Sequence, residues 1–407
     1  GIVFSLDGAN PNSYAGDSPT TAGTDYGYAA GGYFEGSPGG GPRTDIDRID
    51  YSNDTPTATR KSYLTFYTWN QGGASNQSYG YFAGGGFNNP GAKSSVDRID
   101  YSNDSATAVA KGPLSSPSSF IAASGNISYG YFAGGKALDG TPSPWLSRID
   151  RLDYSSDTST AAPKGPLTGV RYGAAGAGNQ DYGWIGGARN SPPGTSNQYS
   201  SVDRIDYSND TATASARGPL TVSGGYMGAT GNADYGYWMG GYPSYTRISR
   251  IDYSNDTPTS TNVYSASPLR HSIAATGNQS YGWFAGGWSP SARSSIVLRL
   301  DYSNDTGGVS TRGPLSQTRF GGTATSSREN AHPTAGSPAT RSTTQTVGTP
   351  YGYFGGGHGG LGVGVQSTVD RIDFDNDTAT AAVKGPLSSA RYALSATGNL
   401  SYGYFGG

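Results

Sequence analysis

Short segments along this chain alternate large apolar residues with small or polar ones, and no segment keeps the three-to-four-residue period of an amphipathic helix. In residues 129–135, large side chains fall mostly on alternate positions, and Phe132 faces opposite to the tyrosines. Residues 96–101 alternate in a similar way and run into Ser-Asn-Asp, whose short side chains favour a turn. These patterns predict short β-strands with apolar residues on both faces.

The same two segments recur along most of the chain. A Tyr-Gly-aromatic triplet running into a glycine pair, with one weaker copy, occurs eight times at intervals of 46 to 70 residues. The triplets begin at Tyr26, Tyr79, Tyr129, Tyr182, Tyr235, Tyr281, Tyr351 and Tyr402. The phrase Arg-Ile-Asp-Tyr-Ser-Asn-Asp, or a close variant, occurs seven times, with its first carboxylate at Asp50, Asp100, Asp153, Asp206, Asp252, Asp301 and Asp373. A period near 50 residues is typical of β-propeller blades, and seven copies predict seven blades.

Each repeat contains a small-residue run, the aromatic segment, the aspartate segment and a piece leading to Gly-Pro-Leu. This order resembles the Kelch repeat family, although Gly-Pro stands where Kelch units usually carry a tryptophan. The resemblance implies an all-β, seven-bladed Kelch-like β-propeller of four-stranded antiparallel blades over residues 21–407. We expect residues 391–407 to join the first blade, so that both chain ends close the ring. The surplus triplet leaves open an eighth, partial blade.

Composition agrees with a turn-rich β protein, since the 407 residues include 65 glycines, 24 prolines and 31 tyrosines, and only 14% are charged. The formal net charge of −2 lacks the basic excess of a protein that binds nucleic acid. The chain contains no stretch of 18 apolar residues, so the sequence does not predict insertion into a membrane. The absence of cysteine excludes disulfides and thiolate chemistry and leaves the compartment open.

Candidate catalytic groups are scarce, and we expect no enzyme activity, no cofactor and no metal site. The three histidines, His271, His332 and His358, occupy unrelated positions in the repeats. The aspartates recur in every copy, whereas a single active site needs unlike groups. We therefore expect each aspartate to pair with the arginine two residues before it or to cap a turn, with calcium in the Tyr-Ser-Asn-Asp turns as the alternative.

The segments that differ between repeats are the candidates for a binding function, because propellers carry varied loops on one face of a rigid ring. Aromatic residues in these segments either anchor the loops or stack on sugar rings and insert into protein partners. The candidates are Trp145, Tyr199, Tyr242, Tyr245 and Trp288. Asn-X-Ser/Thr sequons also recur, and they indicate turn formers or, in a secretory host, glycosylation. The sequons in the aspartate turns are Asn53, Asn103, Asn209, Asn255, Asn304 and Asn376.

Residues 1–20 do not fit the repeat and are expected to form a separate strand or linker. Their Ile-Val-Phe-Ser-Leu-Asp run, followed by Ala-Asn-Pro and Ser-Tyr, resembles the opening strand of laminin-G-like jelly-roll modules in phage virion proteins. The aspartate repeat resembles those of virion structural and tail-fibre proteins of marine bacteriophages.

These resemblances imply an extracellular or virion-surface protein in a phage appendage. Such a protein would attach to a host-surface glycan or dock to other virion or fibre proteins, with oligomeric assembly left open. The alternative is a secreted or cell-surface, glycosylated, adhesive or fibre-forming microbial protein. A glycan-processing enzyme on a propeller is a third hypothesis.

Overall fold

A computed structural model describes residues 25–34, 40–86, 91–137, 145–190, 197–242, 246–289, 292–330, 332, 351–358, 364–373, 379–390, 395–398 and 403–406. In these residues the protein is all-β, as predicted, with only single 3₁₀ turns besides the strands. Residues 1–20, and with them the predicted N-terminal strand, lie outside the described residues. Contacts divide the chain into two compact units, one of residues 21–336 and one of residues 1–20 and 337–407.

The strands of the larger unit follow the repeat. The first repeat gives β1 (Tyr26–Ala30), β2 (Tyr33–Phe34), β3 (Gly41–Asp50) and β4 (Thr59–Thr68). The next two give β5 (Gly72–Ser75), β6 (Tyr79–Ala83), β7 (Val96–Asp100), β8 (Val109–Lys111), β9 (Ala122–Gly125), β10 (Tyr129–Ala133), β11 (Ile149–Asp153) and β12 (Ala162–Lys164). Three more give β13 (Ala175–Gly178), β14 (Tyr182–Asn190), β15 (Asn197–Asp206), β16 (Ser215–Arg217), β17 (Gly228–Gly231), β18 (Tyr235–Met239), β19 (Arg247–Asp252), β20 (Thr261–Ser265), β21 (Ala274–Gly277), β22 (Tyr281–Ala285), β23 (Val297–Asp301) and β24 (Val309–Arg312). The last strand of this unit is β25 (Thr323–Ser326).

These strands form six antiparallel sheets of four main strands each. Five sheets take their strands in chain order, as in β5-β6-β7-β8, and the first of these strands is called the inner strand below. The sixth sheet has the order β25-β1-β3-β4, with the two-residue β2 pairing beside β3. Small residues make up much of each inner strand, as the sequence predicted.

The strand that completes the first sheet differs from the prediction. We expected residues 391–407 to pair with the first repeat, but β25 lies there, with Ala29 opposite Ala324. The inner strands then contact one another in succession, β5 to β9, β13, β17, β21 and β25, and β25 contacts β5. The six sheets are consistent with a propeller-like arrangement of blades.

The aromatic strand of each of these six sheets is buried on both faces, which confirms the prediction from its alternation. Tyr81 and Phe82 are adjacent in β6, so their side chains leave opposite faces, and both are buried. Phe132 of the next sheet packs in one apolar cluster with Tyr81. The core therefore lies between the sheets. The following glycines bend the chain with positive φ, 66° at Gly134 and 99° at Gly135.

The aspartate that ends the third strand caps the next turn, as the sequence predicted. Asp100 Oδ1 accepts hydrogen bonds from the Ser102 amide at 2.8 Å and the Ser102 hydroxyl at 2.6 Å. Such bonds begin single 3₁₀ turns at Tyr101–Asn103, Tyr154–Ser156, Tyr207–Asn209, Tyr253–Asn255 and Tyr302–Asn304.

The predicted pairing of this aspartate with the arginine two residues earlier is wrong. Arg98 instead bonds Asp157 of the next sheet at 2.7 Å. In a strand, residues two apart point to the same side, but Asp100 turns its carboxylate to its own turn. The arginine partner is therefore the second aspartate of the phrase, one sheet further on.

The smaller unit contains two further pieces of the repeat. One sheet is formed by β26 (Tyr351–His358), β27 (Val365–Asp373) and β28 (Ala382–Pro386). A hairpin is formed by β29 (Ser395–Gly398) and β30 (Gly403–Gly406), with Ala396 opposite Phe405. The strand expected to close the first sheet thus pairs within its own unit.

Candidate binding site at the mouth of a central cavity

A cavity of about 110 Å³ lies between the inner strands of the six sheets. The inner strands approach one another closely around this cavity because each presents a residue with little or no side chain. These residues are Gly73, Ala123, Gly176, Ala229, Ala275 and Ala324. The small-residue runs of the repeat are explained by this crowding, since a Cβ at Gly176 would lie 2.2 Å from the Ala123 carbonyl oxygen.

A ring of backbone hydrogen bonds surrounds one end of the cavity. Each sheet contributes one residue just before its inner strand, and each of these has positive φ, between 54° and 65°. Each amide donates to the carbonyl of the equivalent residue one sheet back. The six bonds are Asn70 to Gly321, Phe120 to Asn70, Gly173 to Phe120, Tyr226 to Gly173, Ser272 to Tyr226 and Gly321 to Ser272, at 2.6 to 3.0 Å. The last bond returns to the first residue, so the cycle is complete.

Aromatic rings form a second closed cycle at this end, called here the aromatic crown. The contacts, by distance between ring centroids, are Trp69–Phe120 at 5.9 Å, Phe120–Tyr226 at 5.6 Å, Tyr226–His271 at 5.9 Å, His271–Trp288 at 5.5 Å, Trp288–Phe320 at 5.2 Å and Phe320–Trp69 at 5.6 Å. Tyr33, Tyr172 and Tyr242 extend the crown outward. Aromatic surface gathered at a cavity mouth is a common form of ligand site.

Two guanidinium groups lie over rings of the crown. Arg189 is 5.4 Å from the ring centre of Tyr226 and 5.0 Å from that of Tyr242. Arg293 is 4.9 Å from the Trp288 ring centre. Burial first, and the charge of Arg189 second, lower the pKa of His271 to about 4, so this imidazole is neutral at pH 7.

The other end of the cavity is lined by residues that follow β25. Glu329 lies there, 3.5 Å from the Ser75 hydroxyl, and burial raises its pKa to about 8. His332 Nε2 donates to the Ser75 carbonyl at 2.9 Å, while its Nδ1 accepts from Gln180 at 3.1 Å. Burial lowers the pKa of His332 to about 4, which fits this neutral pattern of one donor and one acceptor.

The structure brings together only some of the aromatic residues named from the sequence. Trp288 is a member of the crown, and Tyr242 contacts its His271. Trp145 pairs with Lys136 outside the crown, and Tyr199 lies beside Gly169 around a separate surface pocket. Tyr245 is outside the described residues.

Sequence reasoning missed the residues that precede the inner strands. Trp69, Phe120, Tyr226 and Phe320 come from this junction, as does His271. The junction lies a fixed distance after Gly-Pro-Leu in many repeats and varies between large and small residues, so an alignment of the repeats could have singled it out.

Five of the six predicted sequon asparagines lie in the described part of the chain, at Asn53, Asn103, Asn209, Asn255 and Asn304. Each is exposed in its aspartate turn. Asn376 falls outside the described residues. Exposure makes these positions accessible, and whether they are modified stays a prediction.

Within the described residues, no three histidine, aspartate or glutamate side chains are grouped to hold a metal ion. No helix in that part of the chain has the length and apolar character needed to cross a membrane. No known family model matches the chain, and no similar protein was found among curated sequences.

Proposed function

We propose that this protein is a non-enzymatic, extracellular binding protein that uses the aromatic crown to hold a glycan. The closed crown at the mouth of the cavity is the observation that supports this most directly. Flat aromatic faces pack against the C–H faces of sugar rings, and arginine and amide groups at the rim supply hydrogen bonds. Such a surface needs no reacting group, and binding at aromatic and arginine side chains is the usual pattern of interaction hot spots.

The scaffold proposed for this site is a closed, six-bladed, Kelch-like propeller rather than a seven-bladed one. The pairing of β25 with β1 and the complete cycle of six backbone hydrogen bonds support it. In this arrangement the repeats of residues 351–407 exceed what the ring needs. A rigid ring would hold the crown residues, which come from loops of different sheets, in fixed relative positions.

The proposed setting is a phage virion appendage, where the glycan belongs to a host surface and other virion or fibre proteins are further partners. The sequence resemblances alone support this setting. The alternative, a glycosylated secreted or cell-surface adhesin, predicts sugar on the exposed sequons. Intact mass of the native protein separates the two, because sugar adds hexose-spaced mass to the 41.9 kDa of the chain.

Glycan-array screening followed by calorimetry tests the proposal. Trp288→Ala and Trp69→Ala should each weaken binding of a hit at least about tenfold, since stacked rings act as hot spots. Tyr264→Ala is the matched control, because Tyr264 is exposed on β20 and takes no part in the crown. The proposal fails if no glycan binds, or if the crown variants bind a hit as tightly as the control.

A further inference from the structure

The arginines near the crown differ in how their charges are balanced. Arg171 and Arg319 are equivalent buried residues in two junctions before inner strands, and each meets a buried carboxylate, Asp203 at 2.9 Å and Asp47 at 2.8 Å. Arg43 and Arg148 also have carboxylate partners at this end, in Asp45 and Asp150. Each of these four arginines has a carboxylate partner, although Asp45 is shared with Arg60.

Arg270 occupies the position equivalent to Arg171 and Arg319, four residues before its inner strand, but it has no carboxylate partner among the described residues. Its Nη1 donates to the carbonyls of Gly286 and Ile296 at 2.6 and 2.7 Å, but its Nε and Nη2 have no partner among the described residues. The position that holds Asp47 and Asp203 in the other sheets is Leu298 here, because Leu298 pairs with Phe284 as Asp47 pairs with Ala29. Only 1% of Arg270 is exposed, so its charge is little screened by water.

Arg189 adds a second unneutralised charge on the same side of the crown. It forms no ion pair with a carboxylate of the described residues, and its Nε has no hydrogen-bond partner there. Its guanidinium covers Tyr226, which contacts His271, the residue next to Arg270. Arg293 is placed beyond His271, over Trp288. The sector of the crown from Tyr226 to Trp288 therefore combines aromatic faces with positive charge.

We propose that this sector selects an acidic glycan, with a carboxylate or sulfate group of the sugar bound by Arg189 and Arg293 and the sugar ring stacked on the adjacent aromatic faces. This rests on the proposed glycan-binding function. The planar guanidinium fork matches a carboxylate or sulfate in two parallel hydrogen bonds, and the buried Arg270 adds an attractive field without needing contact. Sugar carboxylates and sugar sulfates share this chemistry, and ligands of both types distinguish them.

Calorimetry on the full chain with three oligosaccharides tests the inference: an oligogalacturonate, a sulfated galactan fragment and a neutral galactan fragment of similar length. We expect at least one acidic ligand to bind at least about tenfold more tightly than the neutral one, and to weaken as salt rises from 50 to 500 mM. Arg189→Gln should remove most of that preference. Arg189→Lys should restore only part of it, since charge returns without the fork.

Controls separate failure of this inference from failure of the proposed function. Lys384→Gln removes the same charge from an exposed site on β28 and should leave the preference unchanged. Arg293→Gln repeats the test should Arg189→Gln fail to fold by circular dichroism. Equal binding of acidic and neutral ligands, or a preference that both arginine variants keep, would overturn the acidic selectivity while glycan binding stands. Absence of binding to all three, with no hit on a wider array, would overturn both.

Discussion

The Tyr81 hydroxyl of one sheet donates a hydrogen bond to Asp157 Oδ2 of the next sheet, with 3.1 Å between the two oxygens. The same carboxylate accepts from Arg98 and lies 3.1 Å from the Lys111 ammonium. The Tyr81 ring also stacks on Tyr154, which precedes this aspartate in the turn. The relationship recurs at the other sheet boundaries as Tyr28–Asp104, Tyr131–Asp210, Trp184–Asp256, Tyr237–Asp305 and Trp283–Asp54. One repeated carboxylate therefore joins each sheet to its neighbour.

Asp157→Asn should destabilise the protein by about 3 kcal/mol, because it leaves Arg98 and Lys111 partly buried without a counter-charge. Urea unfolding measures the change, since the midpoint falls with stability at constant slope. Asp181→Asn is the control, because Asp181 is exposed. Equal midpoints for the two variants would show that the carboxylate does not join the sheets energetically.

Arg270 lacks a carboxylate partner among the described residues, whereas Arg319 has one, so the same substitution at the two positions should have opposite outcomes. Arg319→Met should be strongly destabilising, by about 3 kcal/mol or more, because Asp47 would stay buried without its partner. Arg270→Met should be neutral or stabilising, because it removes a buried charge that has no carboxylate partner in the described part of the chain. Thermal or urea unfolding compares the two variants, and a similar loss in both would contradict the difference in their surroundings.

Three buried groups, Glu329, His271 and His332, should make the free energy of unfolding depend on pH. Their combined contribution should be largest near pH 6.5. The pKa of Glu329 is raised to about 8 by burial, so its contribution is complete below its ordinary value of 4.5 and is lost as pH rises towards 8. The pKa values of His271 and His332 are lowered to about 4, so their contributions are present above 6.5 and lost as pH falls towards 4.

Urea unfolding between pH 4.5 and 8.5 tests this sign. Glu329→Gln should remove the decline between pH 6.5 and 8, and His332→Gln should weaken the rise below 6.5. Comparison with the unsubstituted protein cancels the contribution of the other titrating groups. Parallel profiles above pH 6.5 for the protein and Glu329→Gln would contradict the prediction.

The glycine pair that ends the aromatic strand should tolerate no side chain. Gly134→Ala should cost about 2 kcal/mol or more, because its φ is +66° and the new Cβ would lie 2.7 Å from the Arg171 carbonyl oxygen. Gly169→Ala is the matched control, since no atom lies within 4 Å of its Cβ position, and a change within about 0.5 kcal/mol is expected. Unfolding midpoints that shift alike would refute the steric argument.

Engineered cysteine pairs distinguish six-bladed from seven-bladed closure. Ala29 lies opposite Ala324 in the β1–β25 pair, so Ala29→Cys with Ala324→Cys should form a disulfide in the folded protein. Ala29→Cys with Ala396→Cys should stay reduced, because both edges of β1 are already paired, with β25 and with β3. The chain has no cysteine of its own, so thiol titration under native conditions reports each pair directly. The reverse pattern would favour a ring of seven.

The repeat in the sequence determined most of the architecture. Strand order, the buried aromatic strand, the glycine bends and the aspartate caps all depend on residues close together in the chain, and local sterics and local hydrogen bonds decide them. Trp288 and Tyr242 were also found from sequence, because they lie in segments that interrupt the repeat.

Only the tertiary structure decided which copies of the repeat meet. Residues 323–326, Thr-Ala-Thr-Ser, and residues 395–398, Ser-Ala-Thr-Gly, are near-equivalent inner strands, so local pattern cannot choose the one that pairs with β1. The motif of Arg98 contains two aspartates, Asp100 and Asp104, but Arg98 pairs with neither. Packing of the next sheet brings Asp157, the equivalent of Asp104 in the following repeat, to the guanidinium instead. The aromatic crown exists only because junctions far apart in sequence converge at one end of the cavity. Long-range pairing and packing, which a repeated local pattern leaves degenerate, fixed these features.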